Sequence, residues 1–249
     1  MSVSAVVVSH GHADEVAELV PLLRAQVDEV VVIENVPDGL SLDDVRVVRN
    51  ERPLTFAANV NQGVALTNGE LVLVANPDTR PAPDAVRVLR FFMETHPRAG
   101  IAGPQLQWPD GRWQPSRRRF PTVGGTLVRR TPLRLLSGSY AQRDHYHLDE
   151  RPAEPARADW LLGAFLLMRR AMLDQIGGWD GGFRHYGEDI DLAYRAARAG
   201  WERWYVPEAI VVHDYAAVID RTFLSRHTWW HLRGMARFVR KHPERLKAL

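Results

Sequence analysis

Ser4-Ala5-Val6-Val7-Val8, Val30-Val31-Val32-Ile33 and Leu71-Val72-Leu73-Val74-Ala75 are apolar runs without alternation. A strand with one wet face alternates polar and apolar residues, whereas a strand covered on both faces does not. These runs therefore require layers above and below a sheet. The segments between them keep helical spacing. Val16, Leu19, Val20 and Leu23 form one stripe, Phe56 to Leu66 reads as a second helix, and Asp84 to His96 as a third with Val88, Leu89 and Phe92 inward. Shorter strands are expected at Val45–Val48 and Ile101-Ala102. Strand and helix in alternation predict an α/β fold, Rossmann-like, with a mostly parallel sheet and helices on both faces.

Open sheets of this kind bind ligands beyond the carboxyl ends of their strands. Three polar clusters fall at such ends: Ser9 and His10 after the first strand, Glu34-Asn35 after the second, and Asn76-Pro77-Asp78 after the fourth. Asn59 and Asn61, in Asn59-Val60-Asn61-Gln62-Gly63, offer amide hydrogen bonds near the same edge, although ordinary helix polarity explains them as well.

After Gly103 the pattern changes. Trp108 to Trp113 reads as a turn between short strands, and residues 115–157 are rich in Arg and Pro without periodicity. Trp160 to Met168 reads as one buried strand closed by Arg169-Arg170, followed by a short helix from Ala171 to Ile176. Strands are expected at Trp204-Tyr205-Val206 and at Ala209–His213, and an amphipathic helix from Thr222 to His242.

Phe183 to Leu192 holds three carboxylates within four residues, Glu188, Asp189 and Asp191, at the start of a helical run that ends at Gly200. The spacing puts Asp189 on the apolar stripe of that run and Glu188 and Asp191 off it. An inward carboxylate lines a cavity or is costly to bury. Acids in a first turn also complement the helix dipole, which accounts for the outward pair better than for Asp189.

Asp78 and His213 both end strands, and the chain has no cysteine. An aspartate and a histidine without thiolates suit a hard divalent ion, magnesium or manganese, completed by substrate phosphates. A capping aspartate and a structural histidine are the plainer alternatives.

The 249 residues suffice for one large α/β unit. No apolar run reaches the ~18 residues that cross a bilayer, and the start lacks the marks of a signal peptide, so a cytoplasmic protein is expected. Net charge is only +2, which argues against a nucleic-acid partner. The arginines nevertheless cluster, at Arg117–Arg119, at Arg129-Arg130 and from Arg221 to Lys247. In the tail they are interleaved with Trp229, Trp230, Leu232, Phe238 and Val239, a pattern that suits peripheral contact with an anionic membrane surface through Arg233, Arg237 and Arg240, the plainer alternative being a helix docked on the domain with Trp229 and Trp230 as core residues.

Val8-Ser9-His10, Ile33-Glu34-Asn35, Phe56 to Gly63, Asn76-Pro77-Asp78, Gly163-Ala164-Phe165 with Arg169-Arg170, and Tyr186 to Leu192 occur in an order that resembles family-2 inverting glycosyltransferases, most of all the rhamnosyltransferase-like group of cell-wall and polysaccharide assembly. The resemblance covers residues 3–213. It implies a GT-A fold, a nucleotide-sugar donor with thymidine-diphosphate-rhamnose the first to test, a glycan or lipid-linked saccharide acceptor, and a divalent metal. It makes Asp189 the general base, with Glu188 beside it, and places Ser9, His10, Glu34, Asn35, Asn59, Asn61, Asn76, Asp78 and Gly163 on the donor. It makes Asp78 and His213 the metal ligands. Asn76 stands where the family's metal motif has its first Asp, and Glu34 where an Asp contacts the nucleotide base. The expected division is residues 1–215 as the catalytic unit, with an acceptor-side insert at 104–157, and 216–249 as a helical tail. A nucleotide-diphosphate-binding protein of the same fold without transfer activity is the alternative.

Overall fold

The computed structural model of the protein describes residues 1–121, 150–184, 186–214 and 226–247. Strand β1 (Val3–His10) lies between β2 (Glu29–Val36) and β4 (Leu71–Ala75), parallel to both, with Val6 opposite Val31 on one side and Val74 on the other. Alternate residues of β1 serve opposite layers. Val3, Ala5 and Val7 join the core made with helices α1 (Ala13–Arg24) and α3 (Ala85–Thr95). Val6 and Val8 join the core made with α2 (Phe56–Ala65), α4 (Arg170–Ile176) and α5 (Glu188–Arg198). Both faces are covered, which is why these strands lack polar alternation. Each fully buried Val or Leu contributes about 1.5–3 kcal/mol. Helix α2 is capped by Thr55, whose hydroxyl accepts from the Ala58 amide at 3.3 Å, and it approaches β1 so closely that a Cβ on Gly63 would collide with the Val6 side chain.

The remaining strands are β3 (Arg46–Arg49), β5 (Thr79–Pro81), β6 (Ala99–Gln107), β7 (Trp113–Gln114), β8 (Arg117–Arg118), β9 (Ala156–Arg157), β10 (Trp160–Leu161), β11 (Phe165–Arg169) and β12 (Glu202–His213). The main sheet runs β3-β2-β1-β4-β11-β6-β12-β5, with β7 on β6 and β9 on β12. It is parallel through β3-β2-β1-β4 and between β6 and β12, with antiparallel β11 joining the two halves.

Several expected boundaries move. β6 continues to Gln107, so residues 104–107 belong to the sheet and not to an insert. Gly100, Gly103 and Pro104 hide this strand, and Pro104 is tolerated opposite Val206, where the register of β12 shifts before Ile210. The strand expected from Trp160 to Met168 is two: β10 pairs with β8 in a small ribbon, a turn follows at Gly163-Ala164, and β11 then enters the main sheet. The two strands expected around Val206 and Val211 are one long strand, β12. Helix α6 (Arg226–Lys241) follows, with a 3-10 turn at Pro243–Lys247. The expected helix start at Thr222, together with Arg221, Arg129, Arg130 and most of the expected insert, lies outside the described residues. Among the described residues no helix is long and apolar enough to cross a membrane.

Candidate active site

The carboxyl ends of β1 and β2 assemble a hydrogen-bonded rim. Ser9 is buried and its hydroxyl accepts from the His12 amide at 3.3 Å. Asn35 Nδ2 donates to His10 Nδ1 at 2.9 Å and to the Leu54 carbonyl at 3.1 Å, and its Oδ1 accepts from the Leu54 amide at 2.7 Å. Glu34 is buried, with Oε2 at 2.6 Å from Arg49 Nε and Oε1 accepting from the Asp38 amide at 3.2 Å. Its charge is thus balanced within the protein before any ligand arrives.

Asn59 meets this rim through Asn50, whose amide also donates to Asn35 Oδ1 at 3.1 Å, whereas Asn61 is held by Trp179. Asn59 is fully buried, accepting from Asn50 Nδ2 at 2.6 Å and donating to the Thr55 carbonyl at 3.0 Å. Asn61 is clamped to Trp179, donating to its carbonyl at 2.8 Å and accepting from its amide at 2.9 Å. Both amides are satisfied within the protein, Asn59 buried and Asn61 half-buried.

Asp78 and His213 are brought together by strand pairing. β5 runs antiparallel to β12 with Thr79 opposite His213, and the Asp214 amide donates to the Asp78 carbonyl at 2.9 Å. His213 Nε2 lies 3.6 Å from Asp78 Oδ1. On its other side, His213 Nδ1 meets Gln114 Oε1 at 2.8 Å, so Nδ1 carries the proton and Nε2 presents its lone pair toward Asp78. Burial pushes the His213 pKa down and the Asp78 pKa up, each opposed by the other's charge. A neutral imidazole facing a carboxylate fits a divalent cation. Among the described residues no group of three or more His, Asp or Glu completes such a site. The set therefore suits an ion that takes its other oxygens from a phosphate ligand and water.

The acidic helix begins after two consecutive left-handed residues, Tyr186 (φ 68°) and Gly187 (φ 95°). A non-glycine residue in that region costs on the order of 1–3 kcal/mol and marks a turn that is held in place. Asp189 is half-buried, its Oδ1 accepting from the Ile190 amide at 2.8 Å. Burial pushes its carboxyl up to about 6, opposed by the amides of Ile190 and Gly163 and by the Arg118 charge. Glu188 is pushed up to about 8, by burial first and by the Asp189 charge second. Neighbouring carboxyls whose values are driven apart divide into one that ionises and one that keeps its proton at neutral pH.

Gly163 joins these features. It packs against Asp189, and the next residue, Ala164, accepts from the Asn76 amide at 2.8 Å. Asn76 in turn accepts from the Thr79 amide and hydroxyl, shaping the turn that presents Asp78. One two-residue turn thus holds both the Asp78 loop and Asp189.

Asp191 differs from expectation. It is the fully buried acid of the three, with Arg195, Lys241 and His242 around it. Two of these partners lie on a segment fifty residues away, so local spacing could not reveal its burial. Gln114 and Arg118 were likewise missed; only the Arg117–Arg119 cluster pointed near the latter. Arg237, expected to be available to a membrane, instead pairs with Asp180 at 3.0 Å.

The profile of the family described as "Glycosyltransferase like family 2" matches residues 3–237. The N-acetylglucosaminyl-diphospho-decaprenol L-rhamnosyltransferase of Mycobacterium tuberculosis (strain ATCC 25618 / H37Rv) is 34% identical over 201 residues, 72% of this chain and 64% of the relative. The chain thus spans just under two thirds of that relative's length. Rhamnosyltransferase WbbL of Escherichia coli (strain K12) is 25% identical over 252 residues, 94% of this chain and 91% of the relative. Among solved structures, GalNAc-T7 with UDP, GalNAc and Mn2+ superposes with a TM-score of 0.69 at 17% identity, covering 96% of this chain and 48% of that one. The mannosyltransferase PcManGT from Pyrobaculum calidifontis, in complex with GDP-Man and Mn2+, gives 0.59 at 17% identity, covering 97% and 64%. The fold is GT-A, and the chain belongs to the glycosyltransferase-like family 2.

Proposed function

We propose that the protein is an inverting glycosyltransferase that moves rhamnose from a nucleoside-diphosphate donor, thymidine-diphosphate-rhamnose first among candidates, to a hydroxyl of a lipid-diphosphate-linked saccharide. The observation that carries the reading is the Gly163-Ala164 turn, which fixes a proton-accepting carboxylate and a phosphate-side Asp–His pair relative to one another. The names of the mycobacterial and Escherichia coli relatives support the sugar, and that of the mycobacterial relative the class of acceptor.

The acceptor hydroxyl attacks the anomeric carbon opposite the diphosphate. A new carbon–oxygen bond forms, the bond to the diphosphate oxygen breaks, and Asp189 takes the hydroxyl proton. A positioned base contributes about 10²–10⁴-fold. Glu188, protonated at neutral pH, keeps a second negative charge away from Asp189. No carboxylate nucleophile is needed. Asp78 and His213 would hold a magnesium or manganese ion, which when bound offsets charge on the departing diphosphate. Ser9, His10, Asn35 and Glu34 form the donor-side wall, with Glu34 tied to Arg49.

Residues 1–215 act as the catalytic unit and 216–249 as a tail, whose described residues 226–247 include Met235 and Phe238 in the core beside α5. Its outward residues Trp229, which is 65% exposed, Arg233 and Arg240 lie on one side of α6. They suit a peripheral contact with the anionic membrane surface that carries a lipid-linked acceptor. The test is incubation with thymidine-diphosphate-rhamnose and N-acetylglucosaminyl-diphospho-lipid in magnesium or manganese. A rhamnosylated lipid supports the reading. Nucleotide binding with no product from any nucleotide sugar supports a binding protein instead.

A further inference from the structure

Helix α6 covers the segment that carries the base. Met235 lies against Gly187, where a Cβ would come within 3.0 Å of its methyl group, and the Arg237 guanidinium stands 5.2 Å from the Phe183 ring centre. Tyr194, on α5, packs edge-on against Phe238 and 4.6 Å from the His242 ring centre. The polar contacts are concentrated at the end of α6. Lys241 Nζ reaches Asp180 Oδ2 and Asp191 Oδ1, each at 2.9 Å, and His242 Nε2 meets Asp191 Oδ1 at 2.8 Å. Asp191 is completely buried, and Arg195 Nε, on its own helix, completes its shell at 2.7 Å. Burial pushes the Asp180 carboxyl up, but hydrogen bonds from Lys241, the Gly182 amide and Arg237 together hold it well below the usual carboxylate range.

Asp191 follows Asp189 by two residues in the same helical turn. A buried carboxylate lacking partners is strongly unfavourable, and in a low-dielectric interior its charge acts on neighbouring carboxylates. The groups facing Asp191 are Arg195 from α5 and Lys241 and His242 from the end of α6, with Asp180 sharing Lys241. Those facing Asp189 are Arg118 from β8, Glu188 beside it, and the amides of Ile190 and Gly163. Neither Lys241 nor His242 touches Asp189.

We infer that Lys241 and His242 are positioning residues for the general base: from the C-terminal segment Lys241 offsets the Asp191 charge, His242 donates a hydrogen bond to it, and together they seat the first turn of α5, so that Asp189 rests against Gly163 in its ionised form. The inference deepens the proposed function and rests on the role of Asp189 in it. It gives the tail a part in catalysis separate from any membrane contact, because the residues involved bind Asp180 and Asp191.

The experiment reads Asp189 directly. Aspartate carboxyl carbons are labelled in the full chain, the Asp189 resonance is assigned by its loss in Asp189→Asn, and its titration is followed by NMR. Lys241→Gln should raise the Asp189 midpoint by about half to one pH unit, the scale of one charge less well neutralised within about 10 Å, and His242→Gln, which loosens the hydrogen bond to Asp191, should move it in the same direction. Adding Asp191→Asn to Lys241→Gln should return the midpoint to the wild-type value, and Lys241→Arg should leave it unmoved. The acidic limb of kcat for sugar transfer should follow the same shifts, with donor KM within about twofold. An unmoved midpoint in both glutamine variants, with lower melting temperatures, would make the segment a structural cap and overturn the inference. If one variant fails to fold, the other decides on the same criterion. Because the titration needs no turnover, absence of transfer in the wild type would defeat the proposed function without obscuring this result.

Discussion

Glu188→Gln should stabilise the protein at alkaline pH and leave it unchanged in acid. The Glu188 carboxyl is driven from an ordinary 4.5 up to about 8, by burial first and by the Asp189 charge second. The folded state therefore holds a proton that the unfolded chain releases above its own value. Stability falls as pH rises from about 4.5 to about 8, and above that the whole cost is present. At 1.36 kcal/mol per pH unit, the interval sets a ceiling of about 4–5 kcal/mol. Glu188 is only half-buried and shares its cost with Asp189, so about 1–3 kcal/mol is expected. Glutamine keeps the shape and removes the charge. For a chain of this size the melting temperature should rise by about 2–4 °C per kcal/mol. Urea denaturation of both proteins at about pH 9 and about pH 4 measures the difference. Equal shifts at the two values, or a less stable variant at pH 9, would refute the burial and coupling assigned to this pair.

If Asp189 must be ionised to accept a proton, kcat for transfer should rise with pH through about 6 and then level, since burial places its carboxyl there; a profile flat from about pH 5 to 7 would contradict it. Asp78→Ala and His213→Ala should each weaken manganese-dependent binding of a nucleoside diphosphate by about tenfold or more in titration calorimetry, and wild-type binding unchanged by chelator would remove the metal from the account. Arg233→Gln with Arg240→Gln should weaken salt-sensitive binding to anionic vesicles by about 10- to 30-fold at roughly 1 kcal/mol per charge, with melting unchanged because both side chains are exposed. Arg237→Gln should lower melting instead, because Arg237 pairs with Asp180.

The parallel half of the sheet was legible because β1, β2 and β4 are covered on both faces and carry no polar interruption. The strand ends followed from that, and with them the clusters at Ser9, Glu34 and Asp78. β6 was not legible beyond Ala102, because Gly103 and Pro104 imitate a loop and their tolerance depends on the irregular register of β12. The pairing of Asp78 with His213 was suggested only by their both ending strands; β5 against β12 makes it a contact. Helical spacing singled out Asp189 and misjudged Asp191, whose burial depends on Lys241 and His242. Asn59 and Asn61 were read from their nearness to the edge, whereas their partners, Asn50 and Trp179, come from a loop and a later turn. Apart from the Asn50–Asn59 contact, the missing information is a contact distant in sequence.

Whether Asp189 accepts the proton of an attacking hydroxyl is decided by the single-turnover rate of rhamnose transfer in Asp189→Asn, with donor affinity measured by calorimetry on the same preparation. The substitution preserves shape and removes basicity. The account predicts a rate about 10²–10⁴-fold lower with donor binding within about threefold of wild type; wild-type transfer by the asparagine variant would contradict it.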